Sequence, residues 1–243
     1  MKILHISDTH GLHDHFPMDR FDGIDVVVHS GDCSNHYDPK RNQKEVISFV
    51  EWYQTVPVKH KVFVAGNHDT CLDIPSKKYI GVSDFTSVGI TYLENEAVTI
   101  DGVNFWGSPH TPTFGTWAFM KSRQKIHEVW EKIPTNTEVL IVHGPPWGIR
   151  DLTYNRNNEL EMCGDKSLMK WIFFNGVDIK AVLFGHIHNH LDIDNQGTSV
   201  YSRRPNIVFS NASCVEDAGL DKGLISFGNI IEISKPIKQK SII

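Results

Sequence analysis

Five short apolar runs each end in a cluster of residues able to bind a metal ion, and all five have the same polarity along the chain. Lys2–Ile6 runs into Ser7-Asp8-Thr9-His10, and Ile24–Val28 runs into His29-Ser30-Gly31-Asp32. Lys61–Ala65 leads to Gly66-Asn67-His68-Asp69, Val139–Val142 to His143-Gly144-Pro145-Pro146, and Ala181–Phe184 to Gly185-His186-Ile187-His188. In a mostly parallel sheet the carboxyl ends of the strands share one edge, and ligands sit in the crevice outside it. The pattern therefore calls for an α/β fold that gathers five strand ends on one rim. Each cluster has an ordinary explanation when taken singly. An Asp at a strand end is a turn former or helix cap, Gly66-Asn67 is a turn, and alternating histidines fit an exposed strand. Those explanations do not account for five clusters at the same ends of five runs.

The set Asp8, His10, Asp32, Asn67, His143, His186 and His188 offers oxygen and imidazole nitrogen and no thiolate. That mixture suits Mn²⁺ foremost, with Fe or Zn as alternatives, and disfavours Cu(I) or an iron–sulfur cluster. Seven side chains are too many for one open catalytic ion. They suit two ions if one carboxylate bridges, and Asp32 is the natural bridge because it is the only carboxylate at its strand end. Two ions roughly 3.5–4 Å apart can share a hydroxide and clamp the attacking and leaving oxygens of a displacement at phosphorus.

Asp8-Thr9-His10, Gly31-Asp32, Gly66-Asn67-His68-Asp69, His143-Gly144 and Gly185-His186-Ile187-His188 occur in this order over Asp8–His188. In these motifs the sequence resembles the calcineurin-like metallophosphoesterase superfamily. Phe63–His68 and His143–Asp151 look most like its small metallophosphoesterase-domain proteins of the MPPED type. The resemblance implies one ion on Asp8, His10, Asp32 and His188, and the other on Asp32, Asn67, His143 and His186. It implies that His68 sits above the ions as a general acid for the leaving oxygen, and that Asp69 holds the His68 ring. Some animal members of the subgroup carry Gly in place of the first His of the last motif. This chain keeps His186, which implies a more complete second site.

The chain has 243 residues and a formal net charge of −5, so it can form one large α/β domain and carries no basic stripe for long nucleic acids. It has no apolar run of signal-peptide or membrane-spanning type, and its first strand begins at Lys2. Cys33, Cys71, Cys163 and Cys214 are scattered without metal spacing, and the expectation is a cytoplasmic protein with reduced thiols. Cys33 reads as a small buried filler beside Asp32. His5 and His29 read as packed strand residues, and His13, His15, His36 and His60 as surface. His190 falls beyond the last motif and is left out of the site.

Asp38–Thr55 reads as a helix with Pro39 in its first turn and Val46, Phe49, Val50 and Tyr53 on one face. Lys121–Ile133 and Cys163–Asn175 read as further helices. Asp101-Gly102 marks a hairpin within Ile90–Trp106, which suggests a second sheet packed on the first. Asn206–Ser210 and Gly223–Ile233 read as strands, the latter folding into a hairpin at Gly228-Asn229. The expected architecture is two stacked mixed β-sheets flanked by helices, an αββα sandwich, as a single domain over 1–233 with a flexible tail over 234–243.

The pocket walls are less defined. Phe114 and Trp117, and Trp147 beside His143, could stack on a base or aryl group, or cap the core. His110 could line the cleft, and Arg150, the only basic residue near the later motifs, has a fork suited to phosphate. The expected function is hydrolysis of small or nucleotide-like phosphodiesters, with a nucleotide phosphomonoesterase, a pyrophosphatase or a nuclease as alternatives. The expected partner is a small phosphoester substrate, with no membrane and no protein partner. A non-enzymatic scaffold is disfavoured because every motif residue is intact.

Overall fold

The computed structural model describes residues 1–74, 79–190, 192–216 and 223–234. Strands β1 (Lys2–Ile6), β2 (Val26–His29), β3 (His60–Phe63) and β4 (Ile90–Tyr92) run parallel to one another. Between β2 and β3 the chain crosses over through helix α1 (Pro39–Thr55). Asp38 caps α1 by accepting from the Arg41 amide at 3.1 Å, and Pro39 opens the first turn, where a missing N–H costs nothing. A short α2 (Val82–Ser87) precedes β4.

The second sheet begins with the hairpin β5 (Glu96–Ile100) and β6 (Val103–Ser108), closed by Asp101 and Gly102 in the left-handed region that such a turn requires. Two short strands, β7 (Thr111–Pro112) and β8 (Met120–Lys121), pair across a loop. They are followed by α3 (His127–Trp130) and β9 (Val139–Val142). A small hairpin of β10 (Leu152–Tyr154) and β11 (Leu160–Met162) precedes α4 (Lys166–Phe174) and β12 (Ala181–Phe184). β13 (Gly197–Tyr201) and β14 (Arg204–Asn211) complete this sheet, and β15 (Asn229–Glu232) returns to the first. The strand orders are β15-β1-β2-β3-β4 and β13-β14-β12-β9-β6-β5.

Alternation along the buried strands produces three apolar layers. Ile3, Val26, Val28, Val62, Val139, Ile141 and Leu183 fill the space between the sheets. Leu4, Val27 and Phe63 face the other way, onto Val46, Phe49 and Tyr53 of α1. Leu140, Val142, Val182 and Phe184 pack on Trp130, Leu168, Trp171 and Ile172 of α3 and α4. The result is the expected two-sheet sandwich with helices outside. No helix among the described residues is long and apolar enough to cross a membrane.

The structure differs from expectation in several places. Only His127–Trp130 of the Lys121–Ile133 segment is α-helical; Lys121 is taken up by the strand pairing with Thr111–Pro112, and turns flank the short helix. Gly228-Asn229 does not turn a hairpin. β15 fills the free edge of β1 instead, in antiparallel register from Lys2↔Glu232 to His5↔Asn229. His13 is buried rather than exposed, with its ring against Phe49 and Trp52. The segment expected to form a flexible tail lies, from 235 onward, outside the described residues.

Candidate metal centre

The ligand candidates follow β1, β2, β3, β9 and β12, and backbone hydrogen bonds tie their loops together. Asp8 N donates to Gly31 O at 2.9 Å, His10 N to Asp32 O at 3.1 Å, and Gly185 N to His143 O at 2.9 Å. The Asp32 carboxylate accepts from His68 N at 2.7 Å, and the Asp8 carboxylate accepts from His186 N at 3.0 Å. Asp8, His10, Asp32 and His186 all have positive φ, between 44° and 70°. Such backbone is costly for residues with side chains and persists where surrounding bonds over-determine it. Gly66 and Gly185 leave room for this crowding. A Cβ at Gly66 would strike Asp32 Oδ1, and one at Gly185 would strike Asp8 Oδ2.

Three sets of ligand atoms converge, each within 4.8 Å: Asp8, His10 and His188; His10, Asp32 and His68; and Asp32, His143 and His186. Asp32 Oδ2 lies 3.3 Å from His143 Nε2 and 3.9 Å from His10 Nε2, between the two ends of the cluster. His188 Nε2 lies 3.3 Å from Asp8 Oδ1, and Asn67 Oδ1 lies 2.9 Å from His143 Nε2. Carbonyl groups fix two of the imidazoles. His10 Nδ1 donates to Ser34 O and His143 Nδ1 donates to Ser30 O, so Nε2 of each ring faces the cluster. His10 Nε2 is buried and has no hydrogen-bond partner. A buried polar atom with no partner is uncommon, and a cation at this point would satisfy it.

Burial keeps two of these rings neutral, holding His10 down to about 4 and His186 down to about 3. His143 is the exception. Burial pulls it down too, but the charge and hydrogen bond of Asp32, with Asp8 behind, raise it to about 9. Burial likewise opposes ionisation of Asp32, but the charge and hydrogen bond of His143 together with the other imidazoles around it outweigh burial and hold that carboxyl well below the ordinary range. The donor set, the shared Asp32 and the orphaned His10 nitrogen fit a pair of divalent cations.

Asp69 does not hold the His68 ring. It is fully buried and accepts from Asp32 N (3.0 Å), Ser34 N (3.1 Å), Gly66 N (2.7 Å), the Ser34 hydroxyl (2.6 Å) and the Cys33 thiol (3.2 Å). It therefore braces the loops after β2 and β3. His68 Nδ1 donates instead to Asn35 O at 3.3 Å. Cys33 is a buried filler, as expected, with its thiol engaged.

A cleft of about 420 Å³ opens over Asp32, Asn67, His68, His186 and His188. His110, Arg150 and Trp147 are not among the residues that line it. His110 donates from Nδ1 to Phe119 O, and the Arg150 guanidinium is spent on the carbonyls of Asn195, Gln196 and Thr198. Trp147 faces a neighbouring hollow with Lys166 Nζ over its ring at 5.2 Å. Phe114 does line the cleft, 57% exposed, with its ring 5.2 Å from that of His186. The unforeseen wall residues are Arg123 and, from the β10–β11 hairpin, Thr153, Tyr154 and Glu161. Arg123 reaches the site by bonding Cys163 O and Gly164 O, an arrangement with no local sequence signal.

A family model described as calcineurin-like phosphoesterase matches residues 1–190. The UPF0046 protein K07C11.7 of Caenorhabditis elegans is 31% identical over 212 residues, covering 83% of this chain and 68% of that protein. The human metallophosphoesterase domain-containing protein 1 is 30% identical over 220 residues, covering 82% of this chain. This chain spans 64% of that relative's length. Among solved structures, a dimetal phosphatase of Danio rerio superposes with a TM-score of 0.50 at 10% identity, covering 87% of this chain and 86% of that one. That likeness is one of fold.

Proposed function

The chain belongs to the calcineurin-like phosphoesterases, and from that premise we propose that it is a metal-dependent phosphodiesterase acting on small or nucleotide-like phosphodiesters. The observation that carries the reading is the convergence of ligand atoms on a shared Asp32, with His10 Nε2 buried and unsatisfied beside it. In this reading Asp8, His10, Asp32 and His188 hold one ion, and Asp32, Asn67, His143 and His186 hold the other. Mn²⁺ is the proposed metal, and the same donors accommodate Fe or Zn. Bound there, the ions supply positive charge to the phosphoryl oxygens and activate water at neutral pH.

His68 supplies the proton for the leaving oxygen. Its Nδ1 hydrogen is committed to the Asn35 carbonyl, so Nε2 is the nitrogen left for that task. Asp69 acts at one remove, by fixing the amides of Asp32, Ser34 and Gly66.

The preference for diesters rests on the charge of the cleft. A monoester dianion needs additional cations around its extra oxygens. Among the described residues that line the cleft, Arg123 is the one Lys or Arg, and Glu161 lines it too. Prolines, Phe114 and Tyr154 make up much of the remaining wall and suit organic substituents. The test is the ratio of kcat/KM for bis-nitrophenyl and mononitrophenyl phosphate on Mn²⁺-loaded protein. The diester should be the better substrate. A monoester preference of about tenfold or more, equivalent to about 1.4 kcal/mol in the barrier, would replace the diesterase reading with a phosphatase.

A further inference from the structure

Phe114 and Trp117 lie on one loop, and the structure gives them different surroundings. Phe114 lines the cleft. Trp117 is absent from the cleft wall, and its indole lies against the face of the His68 imidazole, with ring centroids 4.0 Å apart and planes 28° apart. We propose that Trp117 is a positioning residue for His68, holding the imidazole in the orientation from which Nε2 reaches the leaving oxygen. The proposal rests on the reading of His68 as the proton donor.

Few other groups restrain this ring. His10 meets it edge-on at 4.8 Å and 87°, and the Nδ1 hydrogen bond to Asn35 O is long at 3.3 Å. The carboxylate that would ordinarily orient a working imidazole, Asp69, is committed to the loops after β2 and β3. The broad contact on the His68 face is therefore the indole, the aromatic ring best suited to hold an imidazole whether neutral or protonated.

Trp117 is itself held. The Tyr37 ring meets it edge-on at 5.1 Å and 82°, and the Tyr37 hydroxyl donates to Thr116 O at 3.0 Å. Tyr37 is tied down in turn by Thr70, whose hydroxyl donates to Tyr37 O at 3.1 Å. Next to Trp117, the Ala118 amide donates to Asn67 O at 3.1 Å, which links the aromatic loop to the turn that carries His68. The chain Thr70–Tyr37–Trp117–His68 thus starts and ends on the same turn. That closed circuit fixes the ring relative to the ligand Asn67, where a substrate-stacking tryptophan would face the cleft.

The experiment compares Trp117→Ala, Trp117→Phe, His68→Ala and the double variant His68→Ala/Trp117→Ala in Mn²⁺-loaded protein. The substrates are diesters sharing one retained group, with leaving groups that range from nitrophenol to a simple alcohol. A misplacement of about 1 Å costs roughly 10²-fold in rate, so Trp117→Ala should lose about that much kcat on the alcohol diester. It should lose little on the nitrophenyl diester, whose leaving group needs no proton, and KM and metal content should stay unchanged. Trp117→Phe should recover most of the loss. The double variant should be no slower than His68→Ala, because both changes act on one proton transfer. Independently of activity, in metal-free protein the His68 ring protons in the NMR spectrum should carry an upfield ring-current shift that disappears in Trp117→Ala.

A loss spread evenly over good and poor leaving groups, or additive losses in the double variant, overturns the proposal. If His68→Ala loses selectively on the alcohol diester while Trp117→Ala does not, the acid reading stands and the positioning role falls. If His68→Ala shows no leaving-group dependence, the acid reading falls and takes the positioning role with it.

Discussion

Replacing Asp69 with alanine should destabilise the protein and loosen the metal site, with no effect peculiar to His68. The side chain is fully buried, and its carboxylate is the acceptor for three backbone amides, those of Asp32, Ser34 and Gly66. The Ser34 hydroxyl and Cys33 thiol can turn to other partners, but the amides cannot. A buried donor left without a partner costs roughly 1–3 kcal/mol, so three cost about 3–9 kcal/mol. Water entering the vacated space favours the lower end, and a loss of about 3 kcal/mol is expected from a total that is typically 5–15 kcal/mol. The assay is urea unfolding of Asp69→Ala and wild type in the presence of a chelator, so that metal binding to the folded state does not mask the difference. The midpoint should fall at unchanged slope. Metal affinity should weaken too, because the freed amides sit on the loops of Asp32 and Asn67. A change under about 1 kcal/mol would refute the bracing role. So would a loss confined to kcat with stability and metal affinity intact, which would return Asp69 to service on His68.

Asp32→Ala should be the most damaging single ligand change, because it removes the one carboxylate proposed to serve both ions and leaves their charges to repel; elemental analysis should find fewer than two ions per chain, and wild type should hold two. Metal affinity should rise with pH. His143 sits at about 9 in the metal-free site, above its ordinary value, so an ion binding at neutral pH must displace its proton, whereas His10 at about 4 and His186 at about 3 have none to lose. Competition against a chelator should show apparent affinity climbing by about tenfold per pH unit from His143 and levelling above pH 9. The same raised value stabilises the metal-free fold fully below pH 6.5, and that contribution is lost as pH rises through 9, so metal-free protein should weaken over the interval in which metal binding tightens; a flat profile would contradict the His143–Asp32 coupling. Phe114→Ala should raise KM for diesters with aryl or nucleoside substituents and leave methyl diesters unchanged, and steady-state kinetics across such a series would show whether Phe114 is a substrate contact.

The sandwich was legible because its strands are short, fully apolar and closed by ligand clusters. A run such as Val139–Val142 buries both faces, one between the sheets and one under α3 and α4, so it needs no alternation to be recognised. The helix α1 was legible from Asp38, Pro39 and the spacing of Val46, Phe49, Val50 and Tyr53. The segments that misled are those whose structure depends on a remote partner. Nothing within Gly223–Ile233 says that β1 has an open edge in the register of Asn229–Glu232. Likewise the 120–121 pairing that shortens the expected helix is decided by Thr111–Pro112. β10 and β11 were missed because each is only three residues long, too short for its alternation to stand out, and their residues are exposed or half-buried.

The candidate site divides along the same line. A metal ligand has to be of a particular residue type at a particular point on a strand end, so its identity and its place are both written locally. The supports of that site are not. Asp69 lies next to His68 in sequence, which invites the idea that it serves that ring, yet the chain turns so that its carboxylate meets the amides of Asp32, Ser34 and Gly66. Arg150 has the chemistry to hold phosphate and is consumed by three carbonyls, while Arg123, far from any motif, is carried to the cleft by two others. A guanidinium is satisfied equally well by carbonyls or by a ligand, so its residue type does not decide between the two uses. Backbone carbonyls become available only once the loops have closed. The chemistry of the centre therefore follows from residue type and strand position, and its selectivity from where the surrounding carbonyls and rings fall in space. For that reason Trp117 and Phe114, three residues apart and indistinguishable in the sequence, separate into a ring against His68 and a ring facing the cleft.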